Sequence, residues 1–361
     1  MTNQEIQPTH SLKAVDFFCG GGGMSFGMQQ ANIQVLAGID HDPLCAKTYE
    51  ANIVGAQFIE ADVFKLKEKK LQKTLNLKKK DDNLILIGCS PCQFWSIINT
   101  DRKKSLESKN LLVEFQRFVE FFKPGYVVVE NVPGVLRKKE ESGLQAFIDW
   151  LQDKKNKYTV HFEVHNVHDY GVPQNRKRFT LIANRVTKNE IIPQKADFKL
   201  NVIDVLGKKN GFDPIKAGHK DKTDFMHTVP GLTDINLRRL NKVKKDGGDR
   251  LDFANDKELQ VSCFIGKDHM FKDTYGRLWW KKPSPTITTK FSSISNGRFA
   301  HPEENRALSL REGAILQSFP KDYQFHGTSI ATIARQIGNA VPPKYAEAIG
   351  DALMKNYSDA I

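Results

Sequence analysis

The first half of the chain, from its start to about residue 184, alternates short β-rich segments with helical ones. Five segments are predicted to be strands, at 13–18, 33–39, 56–59, 84–88 and 126–130. The segments between them that are predicted to be helical lie at 24–31, 43–52, 108–122 and 143–153. Strand–helix alternation is typical of a parallel sheet covered on both faces. The sequence therefore predicts an α/β fold, with any ligand beyond the carboxyl ends of the strands.

The periodicity weakens from about residue 185 to residue 283, where glycines and prolines interrupt the chain. This pattern predicts a smaller, loop-rich second domain. Regular patterns return later, with helices predicted at 309–318, 328–338 and 343–356. The sequence thus predicts one discontinuous domain over 1–184 and 330–361, and a second domain with a hinge over 185–329.

Lysine and arginine outnumber the acidic residues, and the formal net charge is +12. A basic excess favours a polyanionic partner, because lysines and arginines displace condensed counterions from phosphates. The lysine-rich stretch 65–80 is most simply a solvated face or loop. No apolar run is long enough to span a membrane, and no signal-peptide core precedes the first strand, so a cytoplasmic location is expected.

The chain has five cysteines, and their odd number and irregular spacing argue against a disulfide framework. Cys89 and Cys92 form one CxxC pair. That pair could be half of a zinc site or a redox pair, but no second CxxC or close Cys/His pair completes a metal site, and no metal is expected.

A glycine-rich loop follows the first predicted strand, in Asp16-Phe-Phe-Cys-Gly-Gly-Gly-Gly23. Glycines at this place let the backbone turn sharply and approach a ligand closely. Counted from Gly20, the last position of a dinucleotide-binding GxGxxG pattern is Ser25, so the pattern fails. A nicotinamide or flavin enzyme is therefore disfavoured.

Two acidic residues, Asp40 and Asp62, follow at the ends of the second and third predicted strands. A carboxylate at the first position can accept both hydroxyls of a ribose, and one at the second can accept an adenine amine. With the glycine loop they describe a nucleoside site whose far end need not be a phosphate, and S-adenosylmethionine is such a ligand. The alternative is that both residues only cap helices.

Four further stretches occur in order behind the glycine loop. They are LILIGCSPCQFWS at 84–96, VVVENVPGV at 127–135, DYGVPQNRKRF at 169–179 and QIGNAVPP at 336–343. Together these motifs resemble the DNA cytosine-5 methyltransferase family of the bacterial restriction–modification type. The resemblance covers roughly residues 13–184 and 283–355.

The resemblance implies a doubly wound, Rossmann-like methyltransferase domain over 1–184 and 330–361, and a target-recognition domain over 185–329. It implies methyl transfer from S-adenosylmethionine, giving S-adenosylhomocysteine, to carbon 5 of a cytosine flipped out of a short double-stranded DNA site. The expected protein is a monomer, whose DNA target a cognate restriction endonuclease can share without stable binding.

Cys92 is the nucleophile by this resemblance, because a thiolate that adds to carbon 6 of cytosine makes carbon 5 reactive. Glu130 would then neutralise nitrogen 3, and Arg178 would bind oxygen 2. Arg176 would serve the nucleophile or a nearby phosphate. Arg306, Arg311 and Glu312 match a stretch that organises the second domain and are read as structural.

The cofactor site implied by the resemblance draws on the glycine loop, the strand ends and the last motif. Its residues are Phe18, Cys19, Gly20, Gly21, Gly22, Gly23, Asp40, His41, Asp62, Val63, Pro91, Asn339 and Ala340. Position 40 departs from the family, because many relatives carry glutamate there, and His41 stands where an aromatic residue often stacks on adenine.

The candidate DNA contacts fall in two segments. Residues 94–109 have the composition of a lid over a flipped base, and the basic run RRLNKVKK at 238–245 lies in the second domain. The predicted contacts are Ser96, Arg102, Lys103, Arg238, Arg239 and Lys242. For the basic run, a solvated helix face is an equally good interpretation.

Three other functions compete with this interpretation. A tRNA cytosine-5 methyltransferase would share the motifs, but its usual Cys-Phe-Thr element reads Cys263-Phe-Ile here. A redox protein would use Cys89 and Cys92 together and would lose function on Cys89→Ser. A catalytically inactive DNA-binding relative would lack expected catalytic residues, all of which are present.

Overall fold

The structure is a computed structural model that describes residues 12–90, 110–222 and 225–360. Seven strands form a single sheet in the order β3-β2-β1-β4-β5-β7-β6. The strands are β1 Lys13–Phe17, β2 Gln34–Asp40, β3 Gln57–Glu60, β4 Leu84–Gly88, β5 Tyr126–Asn131, β6 Thr159–Asn166 and β7 Lys177–Asn184. The α/β fold predicted from the sequence is confirmed.

The strand pairing places a topological switch point between β1 and β4. Strand β1 pairs in parallel with β2 on one side and with β4 on the other, so the chain leaves β1 in opposite directions. Strand β5 also pairs in parallel with β4, whereas β7 is antiparallel to β5. Open α/β sheets bind ligands at the carboxyl ends of the strands beside such a point.

Each segment predicted to be helical contains a helix, and four further helices that were not predicted also occur among the described residues. The helices are α1 Gly23–Gln30, α2 Ala46–Asn52, α3 Glu68–Leu75, α4 Leu111–Phe122, α5 Gly134–Arg137, α6 Leu144–Gln152, α7 Val202–Val205, α8 Asp234–Lys242, α9 Leu310–Leu316, α10 Ile330–Asn339 and α11 Pro343–Ser358. Helix α3 lies inside the lysine-rich stretch 65–80, where its Leu71 is buried and most of its lysines are exposed.

Alternation along the strands explains why the central sheet is buried on both faces. Val15 and Phe17 of β1 point into the same apolar cluster as Phe115 and Phe118 of α4. Ala14 and Asp16 of β1 face the other side of the sheet and are also buried, as are Ile85 and Ile87 of β4. Parallel sheets covered on both faces are built from such continuous apolar strands.

The described residues divide into two compact units. The first comprises Met1–His165, Lys177–Lys195 and Tyr345–Ile361, and the second comprises Asn166–Arg176 and Ala196–Lys344. The second unit has few regular elements, as its glycines and prolines indicate, and it has its own apolar core around Leu240 and Phe253. The division into a cofactor-binding domain over 1–184 and 330–361 and a target-recognition domain over 185–329 stays a prediction.

Charged side chains also stabilise the second unit from within. Arg306 and Glu312 form an ion pair of 2.7 Å in which both side chains are fully buried. The Glu312 carboxylate also accepts the amide of Ser309, which closes the first turn of α9. Arg311 donates to the carbonyl of Tyr323. In the part of the chain that the structure describes, no helix has the length and apolar character needed to span a membrane.

Gly338 of α10 is required by a close backbone approach in the second unit. A Cβ built there would lie 2.4 Å from the carbonyl carbon of Thr288 and from the nitrogen of Thr289. We expect Gly338→Ala to lower the free energy of unfolding by about 1–3 kcal/mol, since the clash outweighs the gain in helix propensity. Urea unfolding measures this.

The control for this prediction is Gly231→Ala, also in the second unit. Among the described residues, a Cβ at Gly231 would meet only the Cα of Gly218, at 4.0 Å. Its free energy of unfolding should stay within about 0.5 kcal/mol of that of the unsubstituted protein. An equal loss in both variants would show that the close approach at Gly338 is unimportant.

Candidate active site

The glycine loop lies beside the end of β4, as the switch point requires. The amide of Cys89 donates to the carbonyl of Phe17 at 3.3 Å, which joins the two strand ends. Phe18, Gly20 and Gly22 all have left-handed backbone conformations, with φ of 63°, 50° and 89°. The loop thus turns tightly into α1, whose first residue is Gly23.

Space lies over the middle of this loop. A Cβ built at Gly20 would meet no atom of the described residues within 4 Å. Phe18 and Gly20 are partly exposed, whereas Cys19, Gly21, Gly22 and Gly23 are buried. The loop therefore presents backbone to an open region, which fits a bound small molecule better than an internal packing role.

Asp40 ties the end of β2 to the glycine loop. One carboxylate oxygen accepts the amide of Gly20 at 2.9 Å, and the other accepts the amide of Asp42 at 3.0 Å. Burial raises the pKa of Asp40, but hydrogen bonds from His41 and from these two amides outweigh it, and the net pKa is lowered. Asp40 is therefore charged at neutral pH. His41 is exposed, with its Nδ1 3.4 Å from Asp40.

Asp62 has a more open environment after β3. Its Oδ1 accepts the amide of Phe64 at 3.0 Å, and Lys65 lies 3.6 Å from its other oxygen. The next residue, Val63, is buried. Both Asp40 and Asp62 thus close local turns, but neither caps a helix, since the N-caps of the segments that follow are Asp42 and Lys67. Each carboxylate oxygen has two lone pairs, so these bonds leave acceptor capacity for a ligand.

Asp16 is a functional candidate that the sequence analysis did not assign. Its side chain is fully buried in β1 and accepts a hydrogen bond from Ser25 at 2.7 Å. Ser25 in turn lies 2.9 Å from the hydroxyl of Tyr49. Burial is the largest of the influences that raise the pKa of Asp16 to about 7. The signal in the sequence that could have identified Asp16 is a carboxylate between the apolar residues of a predicted strand.

The raised pKa of Asp16 predicts a pH-dependent stability. Between about pH 4 and pH 7 the folded protein keeps a proton that the unfolded chain has lost, so the free energy of unfolding falls as pH rises. We expect Asp16→Asn to remove this pH dependence of the free energy of unfolding. Relative to the unsubstituted protein, the variant should therefore gain about 2–3 kcal/mol of stability between pH 5 and pH 8. Urea unfolding at the two pH values measures it.

The comparison for this prediction is Asp149→Asn, which changes an exposed carboxylate of α6 that accepts from Gln145. Its effect on the free energy of unfolding should be the same at both pH values. If Asp16→Asn also showed one constant difference, Asp16 would be ionised across the whole range and the prediction would be wrong.

Glu130 and Arg178 form a buried ion pair at the end of β5. Arg178 Nε lies 2.9 Å from Glu130 Oε1, and neither side chain is more than about a tenth exposed. The antiparallel register pairs Glu130 with Thr180, so Arg178, two residues away on β7, shares its face. Arg178 also donates to the carbonyl of Lys177 at 2.7 Å. The structure thus brings together two residues that the sequence analysis assigned to one base.

Asn131 fixes the chain just before the predicted nucleophile. Its Nδ2 donates to the hydroxyl and the carbonyl of Ser90, at 3.1 and 3.3 Å. The sequence analysis quoted Asn131 but gave it no role. Pro91, Cys92, Ser96, Arg102 and Lys103 lie outside the described residues, and their assignments stay predictions.

The environment of Cys89 disfavours the reactive thiolate form of its side chain. Burial, with the nearby charges of Asp16 and Glu130, raises the pKa of its thiol well above the ordinary value. A redox pair needs a thiolate, which requires a lowered pKa. The thiol of Cys89 is therefore protonated at neutral pH, which argues against the redox interpretation.

Arg176 stabilises the last motif within the second unit. Its guanidinium donates to the carbonyls of Ile287, Gly338 and Ala340, at 2.9, 3.1 and 3.1 Å. Ala340 is buried and Asn339 is exposed. The structure thus gives Arg176 a positioning contact with the segment predicted to bind the cofactor. Its predicted contact with the nucleophile or a phosphate is untested.

The basic run of the second unit is partly engaged in the protein itself. Arg238 pairs with Glu258 at 2.5 Å, and Arg239 donates to the carbonyls of Leu259 and Gln260. Lys242 is exposed at the end of α8. These three residues stay candidate DNA contacts, and Arg238 and Lys242 are exposed. Among the described residues no group of three or more metal-ligating side chains occurs.

Comparison with known proteins decides the family. A family model described as C-5 cytosine-specific DNA methylase matches residues 12–355. The chain belongs to the C-5 cytosine-specific DNA methylase family. It is therefore a DNA (cytosine-5-)-methyltransferase by family, and that family uses S-adenosylmethionine.

Two bacterial relatives match over nearly the whole chain. The Type II methylase M.HgiDII of Herpetosiphon aurantiacus is 36% identical over 347 residues, which cover 94% of each chain. The Type II methyltransferase M1.HphI of Haemophilus parahaemolyticus is 31% identical over 348 residues, which cover 96% of this chain and 87% of the relative.

A solved structure supports the fold. An E. coli prophage chain, described as a DNA modification methyltransferase, superposes with a TM-score of 0.72 at 22% identity. The match covers 96% of this methylase-family chain and all of the E. coli chain. At that identity the likeness concerns the fold alone.

Proposed function

We propose that this chain transfers a methyl group from S-adenosylmethionine to carbon 5 of a cytosine flipped out of a short double-stranded DNA site. Cys92 would form a covalent adduct at carbon 6 of that cytosine. The observation that carries the proposal is the buried ion pair between Glu130 and Arg178, which lies at a strand end of a DNA methylase fold. One carboxyl and one guanidinium group side by side fit the adjacent nitrogen 3 and oxygen 2 of cytosine.

The proposed chemistry divides among these side chains. The Cys92 thiolate adds to carbon 6, and the electron pair of the carbon 5–carbon 6 double bond moves so that carbon 5 becomes nucleophilic. Glu130 holds a proton at nitrogen 3, where negative charge develops, and accepts a hydrogen bond from the 4-amino group. Arg178 donates to oxygen 2. After the methyl group is in place, a base removes the carbon 5 proton and the thiolate leaves.

The proposed cofactor site begins at the open region over Gly20. The glycine loop from Phe18 to Gly23 supplies backbone contacts, and the charged Asp40 accepts from ribose hydroxyls. The remaining proposed contacts are His41, Asp62, Val63, Pro91, Asn339 and Ala340. When bound, S-adenosylmethionine supplies an electrophilic methyl group. The space over Gly20 and the charge of Asp40 both support this fit.

The proposed substrate is double-stranded DNA, which the net charge of +12 favours electrostatically. Residues 185–329 would then recognise the target sequence. The Type II relatives support a role as the modification enzyme of a restriction–modification system. In that role the protein acts as a cytoplasmic monomer and shares its target with a cognate restriction endonuclease.

A methylation assay with two nucleic acids tests this function. Purified protein is incubated with isotope-labelled S-adenosylmethionine and either plasmid DNA or unfractionated tRNA, and the digested nucleosides are identified by mass spectrometry. Labelled 5-methyldeoxycytidine from DNA is expected. Label found only in tRNA would support the tRNA methyltransferase alternative, and label at another cytosine atom would exclude the Cys92 mechanism.

A further inference from the structure

A cluster of lysines in the first unit lies away from the glycine loop. Three loops carry it, at 76–83, 123–125 and 153–158, and we name these loops the basic edge. Its lysines are Lys78, Lys79, Lys80, Lys123, Lys154, Lys155 and Lys157. The first two loops lead directly into β4 and β5, so the basic edge lies at the amino ends of parallel strands. The glycine loop lies at their carboxyl ends.

Hydrogen bonds bring the three loops together around the end of α4. The amide of Lys80 donates to the carbonyl of Phe122 at 2.7 Å. Lys123 Nζ donates to the side chain of Asn156 at 3.2 Å, and the hydroxyl of Tyr158 donates to the carbonyl of Pro124 at 2.6 Å. The lysines of the basic edge therefore form one surface, although they are up to 79 residues apart.

The positive charge of this surface is not neutralised within the protein. The three loops contain seven lysines but only three aspartates, which are Asp81, Asp82 and Asp153. Asp82 pairs with Arg185, which itself donates to the carbonyls of Lys123 and Pro124. Within the described ranges, none of the seven lysines has a carboxylate within 4 Å, and all but Lys123 are exposed.

The backbone gives a second indication, because three of these lysines occupy positions where other residues fit the chain conformation more easily. Lys80, Lys123 and Lys157 have φ of 57°, 45° and 62°, in the left-handed region. Glycine or asparagine adopts that conformation more easily than lysine. Helices α3, α4 and α6 end near these loops, so their dipoles attract cations. That attraction stabilises the protein but leaves the exposed amines available to another anion.

The chemistry of the surface favours phosphates over a membrane. None of the large apolar side chains that are exposed in the described ranges lies in the three loops. Phe121, beside them, is covered by the amine of Lys79 at 3.7 Å from its ring centroid. A surface of unpaired lysines without apolar anchors fits a sugar–phosphate backbone, which is read without regard to sequence.

We infer that the basic edge binds the backbone of a second DNA duplex, independently of sequence and separately from the duplex that is methylated. Each protein molecule could then hold two segments of DNA. This site goes beyond the proposed methyl transfer and does not depend on it.

The test counts duplexes bound per protein, with a 16-base-pair duplex made only of A·T pairs. That probe has no cytosine and cannot be methylated. Native mass spectrometry at low salt should show two duplexes per protein, and one for the variant Lys78→Gln/Lys79→Gln/Lys80→Gln. By fluorescence anisotropy, the weaker binding step should lose about tenfold in affinity. For that step, the slope of log K against log salt concentration should become shallower by about 2–3, because each lost phosphate contact contributes about 0.9 to the slope.

Two matched variants make the result decisive. Replacing the same three lysines with arginine keeps the charge and should preserve the second duplex. Replacing Lys67, Lys69 and Lys70 with glutamine removes the same charge from exposed positions at the other end of α3 and should also preserve it. Equal losses in both glutamine variants, or a single bound duplex in the unsubstituted protein, would overturn the inference. Thermal unfolding shows whether each variant is folded, and the DNA methylation assay is scored separately.

Discussion

Replacing Cys92 with serine is expected to lower the rate of DNA methylation by at least about 10³-fold. A serine hydroxyl is not ionised at neutral pH, so it cannot add to carbon 6 of cytosine at a useful rate. The rate of methyl transfer to plasmid DNA under single-turnover conditions measures this loss directly.

A trapping experiment separates the covalent role of Cys92 from a structural one. DNA in which 5-fluorocytosine replaces cytosine allows addition and methyl transfer, but no proton remains on carbon 5 for a base to remove. The unsubstituted protein should therefore form a protein–DNA complex that survives denaturation, and Cys92→Ser should not. Cys89→Ser is the matched control and should form the complex normally. Trapping by Cys92→Ser, or its loss in Cys89→Ser, would contradict the assignment of the nucleophile.

Replacing Glu130 with glutamine is expected to lower kcat for DNA methylation by about 10²–10⁴-fold. Glutamine keeps the size of the side chain but cannot hold a proton at nitrogen 3 of cytosine. Because Arg178 would lose its buried partner at 2.9 Å, the free energy of unfolding should also fall. Steady-state kinetics and urea unfolding, measured on the same preparation, separate the two effects.

The control for this prediction is Glu163→Gln on β6, whose side chain is about half exposed. Both kcat and the free energy of unfolding should stay close to those of the unsubstituted protein. If Glu130→Gln lost only stability and kept its kcat once folded, Glu130 would hold Arg178 in place without acting on the base.

The strands were predicted well from the short β-rich segments of the sequence, because the residue types change near each end of a strand. Strand β4 has the bounds that were predicted, β1 and β5 differ by one residue at one end, and β2 and β3 by one residue at both ends. The lysine-rich stretch was harder, because lysines dominate its composition and only Leu71 of its helix is buried. The motifs assigned Glu130 and Arg178 to one base, but they did not predict the ion pair that joins the two side chains.

Contacts between distant segments could not be predicted from the sequence. Arg176 donates to the carbonyls of Ile287, Gly338 and Ala340. These residues lie 111, 162 and 164 positions further along the chain. Backbone acceptors carry no signature in residue type, so a basic motif gives no sign of them. The link from Asp16 to Ser25 and Tyr49 was missed for a related reason, since its members lie on three different elements. The basic edge likewise depends on three loops that only the folded sheet brings together.

The central claim is that this chain methylates carbon 5 of cytosine in DNA and needs the Cys92 thiolate, which adds to carbon 6, to do so. Bisulfite sequencing of total DNA from cells that express the protein, beside cells that express Cys92→Ser, tests it most directly. The account predicts cytosines protected from conversion at one short recurring sequence, only with the unsubstituted protein. The absence of protected cytosines, or equal protection in both cultures, would contradict it.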